Sequence, residues 1–311
     1  MEKLLNSYLE YLLYQRNYSK YTIENYKEDI MLFNEYLNKE SLDFLDITYQ
    51  DVRLFFNFLE EKKFEKTTIA RHISSLRNFY KYLVRNNYIN SNPFELVSSP
   101  KKDKLLPKFL YQNEIEELFL IPDLNDPLGI RNRLILELLY ATGMRVGECE
   151  YIKLNDIHFK EQSIKILGKG NKERYVYYGR YAKTYLELYL EKSRPILNKN
   201  NSEYLLLNKN GTRLTSRGIR LILDKIIEKS SLKVHISPHT LRHTFATHLL
   251  EAGCDILSVQ ELLGHESLKA TQIYTHITNE NLKKVYMNAH PRSGKKIEWE
   301  VLWIMKILQI Y

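Results

Sequence analysis

Two arginines stand in short segments with helix punctuation close by, where a guanidinium could be held still. A guanidinium is permanently charged, and its planar fork of donors can meet two phosphate oxygens at once. Arg145 lies in ATGMRVGE, where Gly143 is expected to end a helix and Gly147 to let another backbone come close. Glu148, three residues on, offers the plainer alternative of a structural ion pair. Arg242 lies in SPHTLRHTFATHLLEAG. There Ser237 reads as an N-cap, Pro238 as the first helical residue, and Leu241, Phe245 and Leu249 as the buried stripe. His239 and Arg242, three apart, share a neighbouring face at the positive end of that helix, which suits an anion.

Further on, Gly264 has the place of a residue just past a helix end and would display His265, and Tyr274 follows in QIYTH. One tyrosine among 24 is more commonly a packing residue than a nucleophile. Other chemistries fit poorly. The GKG at 168–170 lacks the Walker pattern, because Ser163 and Gly170 occupy the positions that need Gly and Ser or Thr. His239 and His243 have the spacing of a helical zinc pair, but Thr-Leu-Arg between them supplies a cation and no glutamate. No metal and no cofactor is expected.

The elements that must hold these residues follow from length and periodicity. A chain of 311 residues is longer than one core usually fills, so two domains are expected. With 44% hydrophobic and 27% charged residues, disorder is excluded. The formal charge of +8 suggests a nucleic-acid partner only if the charge is placed for one. Residues 1–98 are close to neutral, yet 66–94 hold Lys66, Arg71, Arg77, Lys81 and Arg85 without an acid. Ile69, Ile73, Leu76, Tyr80 and Leu83 make this stretch an amphipathic helix. Its polar side, with Lys66, Arg71, Ser74, Ser75, Arg77 and Asn78, is a candidate DNA-binding face, against the alternative of an ordinary solvated surface. Helices over 4–13, 23–37 and 51–61 complete a small helical bundle over 1–98.

Residues 99–110, rich in lysine and proline, read as a basic linker, and 111–290 as a second, mainly helical domain. Within it, Ile164 and Ile166, the turn GKGNKE and the run RYVYY predict a β-hairpin whose tip carries Lys169 and Lys172. Residues 291–311 are an apolar C-terminal extension. Its apolar stretch is too short and too charged to span a bilayer, and the interrupted N-terminus is no signal peptide. Cys149 and Cys254, without CxxC spacing, fit a reducing compartment, so a cytoplasmic protein with no membrane partner is expected.

Taken in order, ATGMRVGE, GKGNKER, HTLRH, LLGH and IYTH resemble the tyrosine recombinases of the phage-integrase family, most closely the bacterial Xer type, over roughly residues 1–290. The resemblance implies a mainly α fold with a small β-hairpin or sheet, the two domains forming a C-shaped clamp on duplex DNA. It implies a metal- and ATP-independent enzyme that cleaves and rejoins DNA at a specific site through a 3′-phosphotyrosyl link. Arg145 and Arg242 would then hold the scissile phosphate, with His265 completing its hydrogen bonding. Lys169 would protonate the leaving 5′ oxygen, with Lys172 the alternative, His239 would assist proton transfer, and Tyr274 would be the nucleophile. Expected partners are a homo-tetramer, or a hetero-tetramer with a related recombinase, on two DNA sites, and a DNA-translocating division protein.

The physical chemistry agrees with those roles. In-line attack on a phosphodiester builds negative charge that two arginines stabilise more in the transition state than in the ground state. The covalent intermediate conserves the broken bond, so resealing needs no ATP. The compact N-terminal part favours resolution of chromosome or plasmid dimers at cell division over integration of a mobile element. A DNA-binding regulator that retains the fold without its chemistry is the alternative from another class.

Overall fold

The computed structural model describes residues 1–98, 100, 109–168, 172–232, 236–264 and 279–294. The chain divides into two compact units, Met1–Leu105 and Leu106–Tyr311.

The first unit is helical. Helix α1 (Glu2–Glu10) runs into a π-helical turn (Tyr11–Gln15), followed by α2 (Lys20–Lys39), α3 (Tyr49–Glu61) and α4 (Lys66–Arg85). Local signals fix the starts: the Ser19 side chain accepts from Thr22 N at 3.2 Å, and Thr48 and Asp51 form a reciprocal capping box. The expected stripe of α4 is buried, with Ile69, Ile73, Leu76, Tyr80 and Leu83 facing the core. Phe33 of α2 meets Phe55 of α3 and Phe94 at ring-centroid distances of 4.7 and 5.5 Å. Each such fully buried side chain contributes roughly 1.5–3 kcal/mol, enough to hold short helices that would not persist alone.

The second unit contains α5 (Gln112–Leu120), α6 (Pro127–Thr142), α7 (Val146–Glu150), β1 (Ile157–His158), β2 (Ser163–Leu167) and β3 (Glu173–Tyr177). It continues with α8 (Arg180–Leu188), a π-helical turn (Tyr189–Ser193), α9 (Arg194–Leu197), α10 (Ser216–Glu228), α11 (Pro238–Glu251), α12 (Ile256–Leu263) and α13 (Asn279–Ala289). The three strands form an antiparallel sheet in the order β1-β2-β3. Leu167 pairs with Glu173, so the expected hairpin is closed by residues 168–172.

Helix α6 is the spine, buried almost all round as a central helix must be. Asp126 caps it by accepting from Gly129 N at 3.1 Å, Pro127 opens it, and Gly143 ends it in the left-handed region at φ +59°. A Cβ at Gly143 would lie 2.5 Å from Phe245 Cδ1 and 2.9 Å from Leu263 Cδ2, so only glycine lets the end of α6 sit this close to α11 and α12.

The packed unit overruns both sequence-based boundaries. Leu110, assigned to the linker, is wholly buried and its N–H donates to Thr244 Oγ1 at 3.0 Å. Beyond residue 290, Arg292 is buried with its guanidinium on Glu137 of α6. Among the described residues, no helix is long and apolar enough to cross a membrane.

Candidate active site

Arg145 follows directly on the turn that Gly143 makes, at the N-cap of α7. Its N–H donates to Glu148 Oε2 at 2.7 Å and its Nη1 to Glu148 Oε1 at 2.9 Å, while its side chain stays 39% exposed. Glu148 is buried and also receives a bidentate pair from β3: Arg174 Nη1 to Oε1 at 2.8 Å and Nη2 to Oε2 at 2.9 Å. Burial alone would raise the pKa of this carboxyl, but the hydrogen bonds from Arg174 and Arg145 and the charge of Arg174 together hold it below the usual range.

Arg242 is buried one turn into α11. Its Nη1 donates to Gly143 O at 2.6 Å and its Nη2 to Leu263 O at 2.7 Å, so one guanidinium ties together the C-terminal ends of α6 and α12. Those carbonyls are groups that a helix end leaves without an intrahelical partner. Burial, and then the charges of Arg145 and Arg174, bring its pKa down to about 10, with Glu148 opposing, and it remains a cation at neutral pH. Two guanidiniums therefore pair with one carboxylate while a third, that of Arg242, lies within reach of its charge, leaving a positive excess suited to a phosphodiester.

His239 is exposed in the first turn of α11, where Ser237 accepts from Thr240 N at 3.2 Å as the N-cap. Lys172 is exposed at the hairpin, and its carbonyl accepts from Gly168 N at 2.8 Å. Gly264 ends α12 at φ +63°, in the conformation expected of it. Lys169, His265 and Tyr274 lie outside the described residues. Gly147 departs from expectation: a Cβ there would meet nothing within 4 Å, so no neighbouring backbone requires a glycine. Among the described residues, no group of three or more His, Cys, Asp or Glu could hold a metal ion.

The candidate DNA face of α4 is narrower than its sequence suggested. Ser75 is fully buried and donates to Asp29 Oδ2 at 2.8 Å, so it faces α2 and not the surface. Arg71 Nη1 reaches Asp29 Oδ1 at 2.5 Å but keeps its side chain 39% exposed. Arg77 donates Nε to Phe94 O at 3.0 Å and Nη2 to Val97 O, securing the segment after α4. Asn78 Nδ2 donates to Tyr26 Oη at 3.2 Å, whereas Lys66 and Ser74 are exposed.

Residues 108–281 match the model of the phage integrase family, and residues 5–87 match that family's N-terminal SAM-like domain. Tyrosine recombinase XerC of Oceanobacillus iheyensis is 48% identical over 298 residues, covering 94% of this chain and 98% of that protein. The chain belongs to the phage integrase family, in its Xer branch of tyrosine recombinases. Tyrosine recombinase XerC of Bacillus subtilis is 47% identical, covering 95% of this chain and 99% of that protein. A crystal structure of the XerH site-specific recombinase bound to palindromic difH substrate in a post-cleavage complex aligns with TM-score 0.69 at 25% identity, covering 88% of this chain and 81% of that one. A lambda integrase(75–356) dimer bound to a COC′ core site shares the fold at TM-score 0.66 and 21% identity, covering 90% of this chain and 99% of that one.

In this tyrosine recombinase the sequence points to Arg145 and Arg242 but not to Arg174, which the structure brings onto Glu148 beside Arg145. The signal was the third basic residue of GKGNKER, past the hairpin tip, on the strand that returns toward α7.

Proposed function

We propose that this tyrosine recombinase cuts and reseals duplex DNA at a specific site, with Tyr274 attacking the scissile phosphate to form a 3′-phosphotyrosyl link. The observation that carries the reading is the pairing of Arg145 and Arg242: one guanidinium is half-exposed beside a buried carboxylate, the other is clamped on two helix-end carbonyls. Both are held before any substrate arrives, so little reorganisation accompanies the build-up of charge on the equatorial oxygens. Lys169 on the hairpin turn protonates the departing 5′ oxygen, His239 assists proton transfer, and His265 adds a hydrogen bond to the phosphate. A tyrosine has a reference pKa of about 10, and guanidiniums gathered at the phosphate would favour the ionised form of Tyr274 as it attacks. The roles of Lys169, His239, His265 and Tyr274 come from motif resemblance.

Residues 1–98 serve as the core-binding domain and 99–109 as linker, and the catalytic domain runs from Leu110 to at least Arg292, with Lys66, Ser74 and the exposed part of Arg71 facing DNA. Near full-length identity to XerC proteins supports a cytoplasmic role in resolving chromosome or plasmid dimers at cell division. The working assembly is a tetramer, of this chain alone or with a related recombinase, on two sites, with a DNA translocase of the division machinery as a further partner.

The test incubates the protein with nicked duplex carrying candidate sites and looks for a covalent adduct on a denaturing gel. Wild type forms the adduct and Tyr274→Phe does not. An adduct of equal yield with Tyr274→Phe, or none with wild type on a site it binds specifically, overturns the reading.

A further inference from the structure

The proposed chemistry uses Arg145 and Arg242 but gives no task to Arg174, whose side chain is only 17% exposed on β3. We propose that Arg174 is a positioning residue: by sharing Glu148 it keeps the Arg145 fork available to the phosphate and fixes the spacing between Arg145 and Arg242. The inference rests on the role given to Arg145 above.

Glu148 is the carboxylate that Arg145 and Arg174 share. Its carboxylate is almost wholly shielded and is engaged at both oxygens by Arg174, so its plane is set from the β3 side. Arg145 therefore reaches it side-on, through Nη1 alone, and its backbone N–H holds the second oxygen. Without Arg174, a buried carboxylate left with one guanidinium gains most by turning to take both arms of that guanidinium. The fork of Arg145 would fold back onto Glu148, and the donors meant for the substrate would be spent inside the protein.

A second set of contacts ties Arg174 to the other arginine. A Cβ at Gly264 would lie 2.7 Å from Arg174 Nε and 2.9 Å from its Cζ, so the guanidinium rests against the left-handed end of α12. The preceding residue there, Leu263, supplies the carbonyl that holds Arg242. Arg174 is thus wedged between the carboxylate that orients Arg145 and the corner that orients Arg242. It also stands beside Gly168 at the base of the hairpin turn, where a Cβ would come 3.2 Å from its Nη1. A fixed wedge matters here because a displacement of about 1 Å in a catalytic group can slow a reaction on the order of 100-fold.

The test uses the full chain and nicked duplex carrying its site, with single-turnover formation of the Tyr274 adduct as the readout. Arg174→Met retains the length of the side chain without charge or fork, and Arg174→Lys restores charge alone. Both variants are expected to bind the site as wild type does and to form the adduct about 100-fold more slowly. Arg174→Lys is the folded comparison if the methionine variant melts. Glu148→Gln should show a similar loss, and Arg174→Met with Glu148→Gln should be no slower than the slower single variant, because the two act as a unit. Losses that multiply in the double variant overturn the proposal, since Arg174 would then act independently of Glu148. A substrate with sulfur in place of the leaving 5′ oxygen needs no proton donor. It should leave the Arg174→Met defect unchanged while relieving that of Lys169→Ala; relief of Arg174→Met would assign Arg174 to the hairpin lysine and overturn the proposal. Wild type without a Tyr274 adduct refutes the recombinase chemistry itself, and this inference with it. A normal adduct rate in both Arg174 variants refutes the inference alone.

Discussion

Glu137 of α6 is a wholly buried carboxylate shared by two buried arginines, and replacing it by glutamine tests how the end of the described chain is held. Its side chain has no exposed surface, and its two partners, Arg133 and Arg292, are 3% and 5% exposed. Arg133 Nε donates to Oε1 at 3.1 Å, while Arg292 donates Nε to Oε2 at 3.0 Å and Nη2 to Oε1 at 2.5 Å. The Arg292 guanidinium also lies 3.9 Å from the ring centroid of Tyr181 and 4.4 Å from that of Phe119. Burial works against the charge of Arg292, but the Glu137 carboxylate more than compensates and raises its pKa. Glu137→Gln retains the volume and strands two buried cations, so the loss is expected at about 3–5 kcal/mol, the cost of removing one partner from a buried ion pair. Arg292→Met leaves the neutral pair of Arg133 and Glu137 intact and gives up charge-assisted hydrogen bonds, about 1.5–3 kcal/mol. Replacing all three by apolar residues, as Arg133→Met, Glu137→Leu and Arg292→Met, removes every buried charge and should recover most of the loss. Urea denaturation followed by limited proteolysis, which separates the second unit from the first, measures all three. At about 2–4 °C per kcal/mol for a unit of this size, Glu137→Gln should melt roughly 6–20 °C lower than wild type. A loss under about 1 kcal/mol for Glu137→Gln, or a larger loss for Arg292→Met, would refute the reasoning that the carboxylate neutralises both arginines.

Three further variants probe polar groups that the fold buries or pairs. His290 is packed against the rings of Tyr140, Phe245 and Tyr286, and burial, then the charge of Arg292 and the neighbouring His248, push its pKa down to about 3. An unfolded chain has it near 6.5, so between those values the unfolded state takes up a proton that the folded state refuses. Its contribution is complete above pH 6.5 and declines as pH falls toward about 3, at about 1.4 kcal/mol per pH unit. His290→Asn should flatten that acid limb in a pH series of urea midpoints, and an unchanged slope would count against a neutral buried imidazole. In the first unit, Arg71→Ala should weaken DNA binding and reduce the salt slope by about one. Ser75→Ala should leave the salt slope untouched and lower stability by about 1 kcal/mol through the lost bond to Asp29, and a change of slope would return Ser75 to the DNA face.

What the sequence disclosed, and what it withheld, divides along the range over which each residue is held. Ser237, Pro238, Gly143 and Gly264 act on the turn they belong to, and each was read correctly because caps and left-handed ends are decided within a few residues. The pair of Arg145 and Glu148, three apart, was legible for the same reason, and the ion pair still leaves the Arg145 side chain partly exposed. Arg174 was hidden because it lies 26 residues from Glu148, and a charged residue on a short strand reads as solvated until the sheet turns it inward. Ser75 failed in the opposite sense. The 4-3-4-3 stripe of α4 gave the buried face, but its edge depends on Asp29, 46 residues away on α2, which draws a hydroxyl inward that the pattern assigned to the surface. Arg77 likewise belonged to the candidate DNA-binding face, while its guanidinium is spent on the carbonyls of Phe94 and Val97. A polar residue beside an apolar stripe therefore indicates DNA only once the acids and carbonyls of neighbouring segments are known to leave it unclaimed. Exposure is the further condition, and on α4 it limits the candidate face to Lys66, Ser74 and the outward part of Arg71.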